Sequence, residues 1–328
     1  MPSLVLGVGY IGAALVERLC ASGEDVVGVE NGFATDWAAL QQLAERWTGC
    51  FRLIQGDVRD ADTLDRAFAT ASPVEVVYLL AAQASAHADA ASAEYTEETN
   101  LRAPRLVLEA VLRHGKPPVV YGSSFHVYGT PQVGVVDEAR PYGAFRDLSH
   151  LSKVYAEKLG ELYAGEHGVA FSPVRLGIVY GVGPIVKRDI RFLTVPHAFC
   201  VRLVRGEPLV VNQSGLVPMG FIHLDDAVEA LLAARAQGGD GGYAPANAVG
   251  EVLTVVDVIA AVSKAARERG LVVRAEAPGA SSTTSSDAVE AFTVSTRLSA
   301  TGWHAQRRLS ATAGQLLAHH AAAEAVAA

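Results

Sequence analysis

Near its start the chain reads Leu4-Val5-Leu6-Gly7-Val8-Gly9-Tyr10-Ile11-Gly12, a short apolar run followed by glycines spaced as GxGxxG. The apolar run predicts a strand, and Tyr10–Ser22 carries apolar residues at helical spacing. In such a strand–turn–helix the first glycine permits the tight turn, the second lets a pyrophosphate approach the backbone, and the third lets the helix pack closely on the strand. The free amides at the start of the helix then face the phosphate charge. The predicted dinucleotide contacts are Gly7, Gly9, Tyr10, Ile11 and Gly12.

An acidic residue ends the next predicted strand. Glu30 follows the apolar run Val26–Val29, about 20 residues beyond the glycines, where this fingerprint expects an acid that binds the ribose hydroxyls. A carboxylate there would repel a 2′-phosphate, so the pattern favours NAD over NADP. Glu30 and its neighbour Asn31 are therefore candidate cofactor contacts.

Short apolar runs alternate with helical patterns through the N-terminal half. Because these runs are unbroken, they indicate strands buried on both faces of a parallel sheet that helices cover. We predict a Rossmann-type doubly wound α/β fold with a smaller C-terminal α/β substrate lobe. Residues 1–175, with 221–247 returning to them, would bind the dinucleotide, and 176–220 with 248–328 would form the lobe. The expected elements are strands Leu4–Leu6, Val26–Val29, Phe51–Ile54, Val74–Leu80 and Pro118–Tyr121 and helices Asp60–Thr70, Leu101–Leu112 and Leu148–Gly165.

Composition narrows the class of protein. Half of the 328 residues are hydrophobic, and the formal net charge is −8. The chain is long enough for one large domain with a smaller lobe. An acidic chain without basic runs disfavours nucleic acid and anionic membranes as partners.

Cysteine and histidine spacing argues against disulfides and metals. Cys20, Cys50 and Cys200 lie far apart without CxxC spacing, so neither a disulfide framework nor a zinc site is expected. The histidines form no HxxxH or HxH cluster, and no apolar stretch reaches the ~18 residues that span a bilayer. We expect a cytoplasmic protein without a bound metal, in which the Ala-rich C-terminal stretch with His319 and His320 forms a frayed helix. Residues 278–287 are expected to form a surface loop.

Further motifs spread along nearly the whole chain. They are Gly56-Asp57-Val58-Arg59-Asp60, Leu79-Leu80-Ala81-Ala82-Gln83-Ala84-Ser85, Asn100, Tyr121-Gly122-Ser123-Ser124-Phe125-His126-Val127-Tyr128-Gly129, Ser152-Lys153 with Glu157, Phe221-Ile222-His223-Leu224-Asp225-Asp226-Ala227, and Gly302-Trp303. On these motifs the chain resembles the extended short-chain dehydrogenase/reductases, and among them the NAD-dependent epimerase/dehydratase family. Residues 192–211 faintly resemble the sulfoquinovose synthase branch of that family.

The resemblance implies roles for single residues. Ser124 would orient a substrate hydroxyl or carbonyl, and Lys153 would bind the nicotinamide ribose and help to stabilise an oxyanion. Further cofactor contacts would be Asp57, Val58, Leu80, Ala81, Ala82 and Asn100. Further substrate contacts would be Gln83 and Ser85.

The chain departs from the family at its general acid/base. The family uses a Tyr whose pKa a nearby Lys ammonium lowers, and this Tyr stands four residues before the Lys, one helical turn away. Here that position is Ser149. A serine hydroxyl is too weak an acid to take this role unaided, although it can relay a proton.

Three other residues are candidates for the proton transfer. Tyr142, on the loop before the Lys153 helix, could fill the volume that the missing ring leaves. His126 lies two residues after Ser124, so strand alternation would point both side chains to one face, and an imidazole is suited to proton transfer near neutral pH. His150 shares part of the helix face of Lys153. Each of the three could instead be structural. The candidate catalytic residues are Ser124, His126, Tyr142, Ser149 and Lys153.

The substrate-binding positions depart as well. Met219 stands where the family has an Arg that grips the sugar-nucleotide diphosphate, and Ile178 stands where it has an Asn that touches substrate. The diphosphate charge could come from Lys187, Arg188 and Arg191, or these could form a solvated basic loop.

The resemblance implies an enzyme that oxidises a sugar hydroxyl with tightly bound NAD and later returns the hydride, with a nucleotide sugar as substrate. Two alternatives stay open. One is a ketoreductase on a non-sugar metabolite with a proton donor other than tyrosine. The other is an NAD-binding regulator without turnover. Family members often dimerise through the helices that here would be Leu101–Leu112 and Leu148–Gly165, so we expect a homodimer.

Overall fold

Strands and helices alternate along the computed structural model, which describes residues 1–85, 87, 89–145, 147–187, 189–210, 213–237, 242–276 and 291–327. The strands are β1 (Ser3–Leu6), β2 (Val26–Glu30), β3 (Phe51–Gln55), β4 (Val76–Leu79), β5 (Val119–Ser124), β6 (Val135–Val136), β7 (Phe171–Leu176), β8 (Ile178–Tyr180), β9 (Leu209–Val210), β10 (Met219–His223), β11 (Ala246–Ala248), β12 (Glu251–Leu253), β13 (Ala275–Glu276) and β14 (Thr293–Val294). The helices are α1 (Tyr10–Ala21), α2 (Trp37–Arg46), α3 (Ala61–Thr70), α4 (Ala93–Glu97), α5 (Ala103–Arg113), α6 (Leu148–His167), α7 (Val195–Val204), α8 (Leu224–Gln237), α9 (Val255–Glu268) and α10 (Leu309–Ala327). The predicted strands and helices are all present, with bounds that differ by a few residues.

Within the described residues, the central sheet has seven strands in the order β11-β7-β5-β4-β1-β2-β3. Every pair within it is parallel. The chain begins in the middle at β1, moves outward to β3, and then crosses back to β4 to build the other half. Doubly wound sheets bind ligands at the carboxyl ends of the strands beside such a switch point. The predicted Rossmann-type fold class is confirmed.

Side chains of each central strand pack on two opposite layers. In β1, Val5 faces α1, α2 and α8, where it joins Leu15 and Leu231 in one apolar cluster. Leu4 faces α3, α5 and α6, where it joins Val107 in a second cluster. Burial on both faces explains why this strand is an unbroken apolar run.

A smaller region lies beyond the central sheet. Its sheet has the order β12-β10-β8, and α7, α9 and α10 pack together through Phe199, Val262 and Leu316. The prediction of a frayed C-terminal helix is wrong for residues 309–320, because Leu316 and His320 are buried in this contact. The domain bounds stay a prediction, and residues 278–287 lie outside the described chain.

Two of the cysteines are joined in a disulfide, contrary to the prediction from their spacing. Cys20, near the end of α1, pairs with Cys50, which directly precedes β3, and their Cα atoms lie 5.8 Å apart. The parallel order β1-β2-β3 brings these two points together although they are far apart in sequence. Cys200 is buried as a free thiol. Among the helices of the described residues, none has the length and apolar character needed to cross a membrane.

Candidate active site

In the glycine turn between β1 and α1, neighbouring atoms leave no room for a side chain at two of the three glycines but leave room at the third. Gly7 has a φ of +100°, and a Cβ there would lie 2.4 Å from Ala81 N. A Cβ on Gly12 would lie 2.0 Å from the carbonyl oxygen of Gly7. At Gly9, however, the nearest atom to such a Cβ would be Thr35 Oγ1 at 3.6 Å. Gly7 and Gly12 are therefore fixed by the fold, whereas Gly9 leaves room for a ligand.

The start of α1 supplies amides to that room. Its first backbone hydrogen bond runs from Ala13 N to the Gly9 carbonyl at 2.8 Å, and Gly9 gives the helix no side-chain cap. The preceding amides of the turn can therefore bind an anion with the favourable helix dipole. Gly7, Gly9, Tyr10, Ile11 and Gly12 all line a cleft of about 350 Å³. A pyrophosphate fits the residues present here.

Two alanine substitutions should separate folding from cofactor binding. Gly12→Ala forces a shift of the Gly7 carbonyl, so we expect it to destabilise the fold by at least about 1 kcal/mol. In Gly9→Ala the new methyl group lies at ordinary van der Waals distance from its neighbours, so the melting temperature of the cofactor-free variant should stay near that of the wild type. The affinity of this variant for NAD should fall at least about tenfold, because the methyl group fills the anion site. Thermal unfolding and calorimetric titration with NAD measure the two effects. Unchanged NAD binding in Gly9→Ala would contradict the assignment.

Glu30 and Asn31 lie at the end of β2 and line the cleft. The Glu30 carboxylate accepts a hydrogen bond from Gly32 N at 3.0 Å, and burial raises its pKa. Lys187 lines the cleft as well, and its positive charge acts to lower the pKa of Glu30. The acid stands where a ribose diol would bind.

Asp57 and Val58 lie beyond β3 and have different roles. Val58 lines the cleft, whereas Asp57 is not part of its wall. The Asp57 carboxylate accepts hydrogen bonds from Arg59 at 2.7 Å and Asn31 at 2.9 Å. Burial alone would raise the pKa of Asp57, but these hydrogen bonds lower it to about 2. The charged Asp57 carboxylate therefore accepts the hydrogen bond that holds the Asn31 side chain in position.

The segment after β4 forms the middle of the cleft. Its wall includes Leu80, Ala81, Ala82 and Gln83. Asn100 stands behind this wall and clamps the backbone of Gln83, accepting from its amide at 2.8 Å and donating to its carbonyl at 2.8 Å. Asn100 thus holds the cleft wall in place rather than lining it.

Ser124 and Lys153 line the far end of the same cleft. The Lys153 ammonium donates to the Gly122 carbonyl at 2.7 Å. Burial lowers the pKa of Lys153 to about 8, and the nearby Glu157 carboxylate opposes that shift. The Ser124 hydroxyl lies 3.3 Å from Nδ1 of His126.

Two histidines stack beside Ser124. His126 lies on a 3-10 turn, Phe125–Tyr128, that follows β5, so the turn rather than strand alternation brings it to Ser124. Its ring stacks on that of His150 with centroids 4.6 Å apart, and both rings line the cleft. Burial, and to a smaller extent the neighbouring His150, lowers the pKa of His126 to about 4. Nδ1 of His150 lies 2.6 Å from the Asp147 carboxylate.

Ser149 and Tyr142 do not form part of the described cleft wall. The Ser149 hydroxyl makes a 3.4 Å contact with the Gln83 carbonyl. The Tyr142 hydroxyl donates to the buried Glu157 carboxylate at 2.9 Å and lies 3.3 Å from the Tyr243 hydroxyl. Burial and the Glu157 charge raise the pKa of Tyr142 to about 12. The structure therefore holds Tyr142 in a buried network and not beside Ser124.

The predicted substrate residues are only partly brought together. Gln83 and Ser124 line the cleft, whereas the Ser85 hydroxyl donates to the Arg191 carbonyl at 2.5 Å. The Arg191 guanidinium is paired with Asp189 and exposed. Arg188 lies outside the described residues. Of the basic residues proposed for the diphosphate, Lys187 is the one that the described cleft wall includes.

Several cleft residues were not predicted from the sequence. Phe33 and Tyr95 stack with centroids 4.1 Å apart at the end of the cleft near Glu30. Phe192 and His197 enter the wall from the smaller region. No local motif marks these four residues, because long-range packing brings them together. His150 differs from these four, because its spacing from Lys153 already marks it in the sequence as a candidate for the proton transfer.

Comparison with known proteins assigns the family. The NAD dependent epimerase/dehydratase family matches residues 3–244. The chain belongs to this family. The family is NAD dependent, and the glycine turn and the carboxylate of Glu30 fit that cofactor.

Individual relatives agree with this assignment. A putative UDP-glucose 4-epimerase of Methanocaldococcus jannaschii is 25% identical over 70% of this chain and 71% of its own length. The chloroplastic UDP-sulfoquinovose synthase of Spinacia oleracea is 26% identical over 81% of this chain, but the match spans only 64% of that relative. A solved structure of UDP-glucose 4-epimerase from Bifidobacterium longum, in complex with NAD+ and UDP, superposes with a TM-score of 0.83 over 99% of this chain and 98% of that chain at 20% identity. The latter likeness shows the common fold.

Proposed function

We propose that this member of the family modifies a nucleotide sugar by transient oxidation of one sugar hydroxyl. The observation that carries the proposal is a single cleft that runs from the open side of Gly9 to Ser124 and Lys153. The relatives act on UDP-sugars by name, and they support this function over a ketoreductase or an NAD-binding regulator. Whether the outcome is epimerisation, elimination or another change depends on the substrate.

The residues at the end of the cleft can bind and polarise the reacting sugar. Ser124 orients the hydroxyl, and the Lys153 ammonium stabilises negative charge that develops on its oxygen. When NAD is bound, it accepts the hydride from the sugar carbon and later returns it. Lys187, half-buried in the cleft wall, supplies positive charge for a diphosphate.

The proposal is tested by cofactor content and turnover. Purified protein should release NAD on denaturation after exhaustive dialysis, and one member of a panel of UDP-sugars should be converted without net consumption of NAD. Stoichiometric consumption of added NADH or NADPH would favour the ketoreductase instead. Release of NAD without conversion of any sugar or carbonyl substrate would favour the regulator.

We propose that the chain forms a homodimer through α5 and α6. The two helices pack side by side, and α6 presents the exposed apolar side chains of Leu151, Tyr155 and Leu162. Their spacing of four and seven residues places them on one stripe of the helix. A partner surface that covers this stripe would remove apolar area from water.

A charge on this stripe should separate the subunits. Leu162 is 57% exposed in the single chain, so Leu162→Glu should leave the monomer folded but shift the sedimentation equilibrium toward monomer at least about tenfold, because the carboxylate would be buried in the interface. Leu216, also 57% exposed, lies outside α5 and α6, and Leu216→Glu is the matched control. If both variants sediment as the wild type does, the proposed interface is wrong.

We also propose a cytoplasmic location, where nucleotide sugars and NAD are available. Unpaired cysteines would have supported a cytoplasmic location. Because Cys20 and Cys50 form a disulfide, the cysteines do not give this support. Cell fractionation combined with alkylation of free thiols would test both the location and the redox state.

A further inference from the structure

Four polar side chains form a continuous series at the catalytic end of the cleft. The Ser124 hydroxyl lies 3.3 Å from Nδ1 of His126. The His126 ring stacks on His150, and Nδ1 of His150 lies 2.6 Å from the Asp147 carboxylate. The series ends at Asp147, the N-cap residue of α6.

The series stands beside the position where the family has its tyrosine. His150 directly follows Ser149, and it lines the cleft together with His126, whereas the Ser149 hydroxyl is buried against the Gln83 carbonyl. Tyr142 is held by Glu157. Besides the Lys153 ammonium, which donates to the Gly122 carbonyl, the described cleft wall near Ser124 offers two imidazoles, a side chain suited to proton transfer. Burial disfavours a proton on His126, which leaves His150 as the proton carrier.

From this arrangement, and resting on the proposed function, we propose that His150 carries the substrate proton in place of the missing tyrosine. In the oxidation step the sugar O–H bond breaks and its proton passes to Nε2 of His150. The C–H bond on the same carbon breaks, its electron pair leaves as a hydride to the nicotinamide dinucleotide, and the C=O bond forms. The return step reverses these transfers, so that the proton and the hydride are both recovered.

Asp147 fixes the His150 ring for this role. Its carboxylate accepts from the His150 amide at 2.9 Å and pairs with Nδ1, so Nδ1 carries a proton and Nε2 is left to accept one. Asp147 is thus a positioning residue that acts through His150.

His126 acts on Ser124. The charged or titratable groups that face it are His150 and Asp147, both from the start of α6, while Ser124 faces it from β5. With its pKa near 4, His126 is neutral at physiological pH and can accept a hydrogen bond from Ser124. The Ser124 oxygen is then oriented to receive the substrate hydroxyl.

Substitution of His150 tests the proposal in the full-length protein. His150→Ala should reduce kcat/KM for the converted UDP-sugar by about 10²–10⁴-fold and leave the content of bound NAD unchanged. Asp147→Asn should lower kcat with little change in KM. Adding Ser149→Tyr to His150→Ala should recover at least about tenfold of the lost activity, since it restores the family's acid. His167→Ala, at the exposed end of the same helix, is the control.

A chemical readout is independent of turnover. Diethylpyrocarbonate should modify His150 in the free protein, and NAD with UDP-glucose should protect it, as mapped by mass spectrometry. His150→Asn provides a second variant if the alanine variant does not fold. If the wild-type protein shows no hydride transfer with any substrate, both this assignment and the proposed function are wrong. Wild-type turnover that His150→Ala or His150→Asn retains, or modification of His150 that the ligands do not slow, overturns the assignment alone.

Discussion

Lys153→Met should abolish hydride transfer, with a loss of at least about 100-fold in kcat/KM. The substitution removes the ammonium that stabilises charge on the reacting oxygen but keeps most of the side-chain volume. Because burial lowers the pKa of Lys153 to about 8, well below the ~10.4 of an exposed lysine, the fold disfavours the charged form. Removing the charge should therefore change the free energy of unfolding by no more than about 1–2 kcal/mol, most of it from the lost bond to the Gly122 carbonyl. Single-turnover absorbance of the reduced nicotinamide and urea unfolding measure the two effects.

The Lys153 ammonium also predicts an alkaline limb in the pH profile of kcat/KM. Lys153 is an ammonium below its pKa, so kcat/KM of the wild type should fall as the pH rises through about 8. Lys158→Met is the matched control, because Lys158 is exposed on the same helix and paired with Glu161. Residual turnover of Lys153→Met within a few-fold of wild type, or an equal loss in Lys158→Met, would show that the ammonium has no part in the reaction.

The central sheet could be predicted because its local signals and its tertiary structure agree. The run from Leu4 to Leu6 is apolar on both faces because both faces are buried, and Gly7 and Gly12 are the residues that the close contacts of the turn permit. The cofactor contacts at these glycines and at Glu30 follow from the same short-range pattern. Such features depend on neighbours in sequence, so a single sequence reveals them.

The parts that could not be predicted depend on contacts between distant segments. Cys20 and Cys50 meet because β1 and β3 flank β2, and His320 is buried because α10 reaches Nδ1 of His197 on α7. Tyr142 shows the same limit within the site. Its place before α6 suggested a ring beside Ser149, but the hydroxyl is held by Glu157, a partner that the sequence does not reveal.

The network around Glu157 links the stability of the sheet to the site. Glu157 is fully buried one turn beyond Lys153 on α6, and it accepts hydrogen bonds from the hydroxyls of Ser123, Tyr142 and Tyr243. Ser123 precedes Ser124 on β5, so the carboxylate ties the strand that carries Ser124 to the helix that carries Lys153. The positive charge in this network is Arg175 on β7, whose Nη2 lies 2.7 Å from Glu157.

Arg175→Met should lower the free energy of unfolding by about 3–5 kcal/mol, because it leaves the Glu157 carboxylate buried without its cation. Arg18→Met is the matched control. Arg18 also lies 2.7 Å from a carboxylate, that of Glu229, but both side chains are largely exposed, so its loss should cost less than about 1 kcal/mol. The double variant Arg175→Met with Glu157→Gln should recover part of the stability, since no buried charge is then left unpaired. Urea unfolding monitored by circular dichroism compares the four proteins. An Arg175→Met variant as stable as Arg18→Met would mean that the hydroxyl donors alone hold the carboxylate, and the strand–helix link would then not depend on the ion pair.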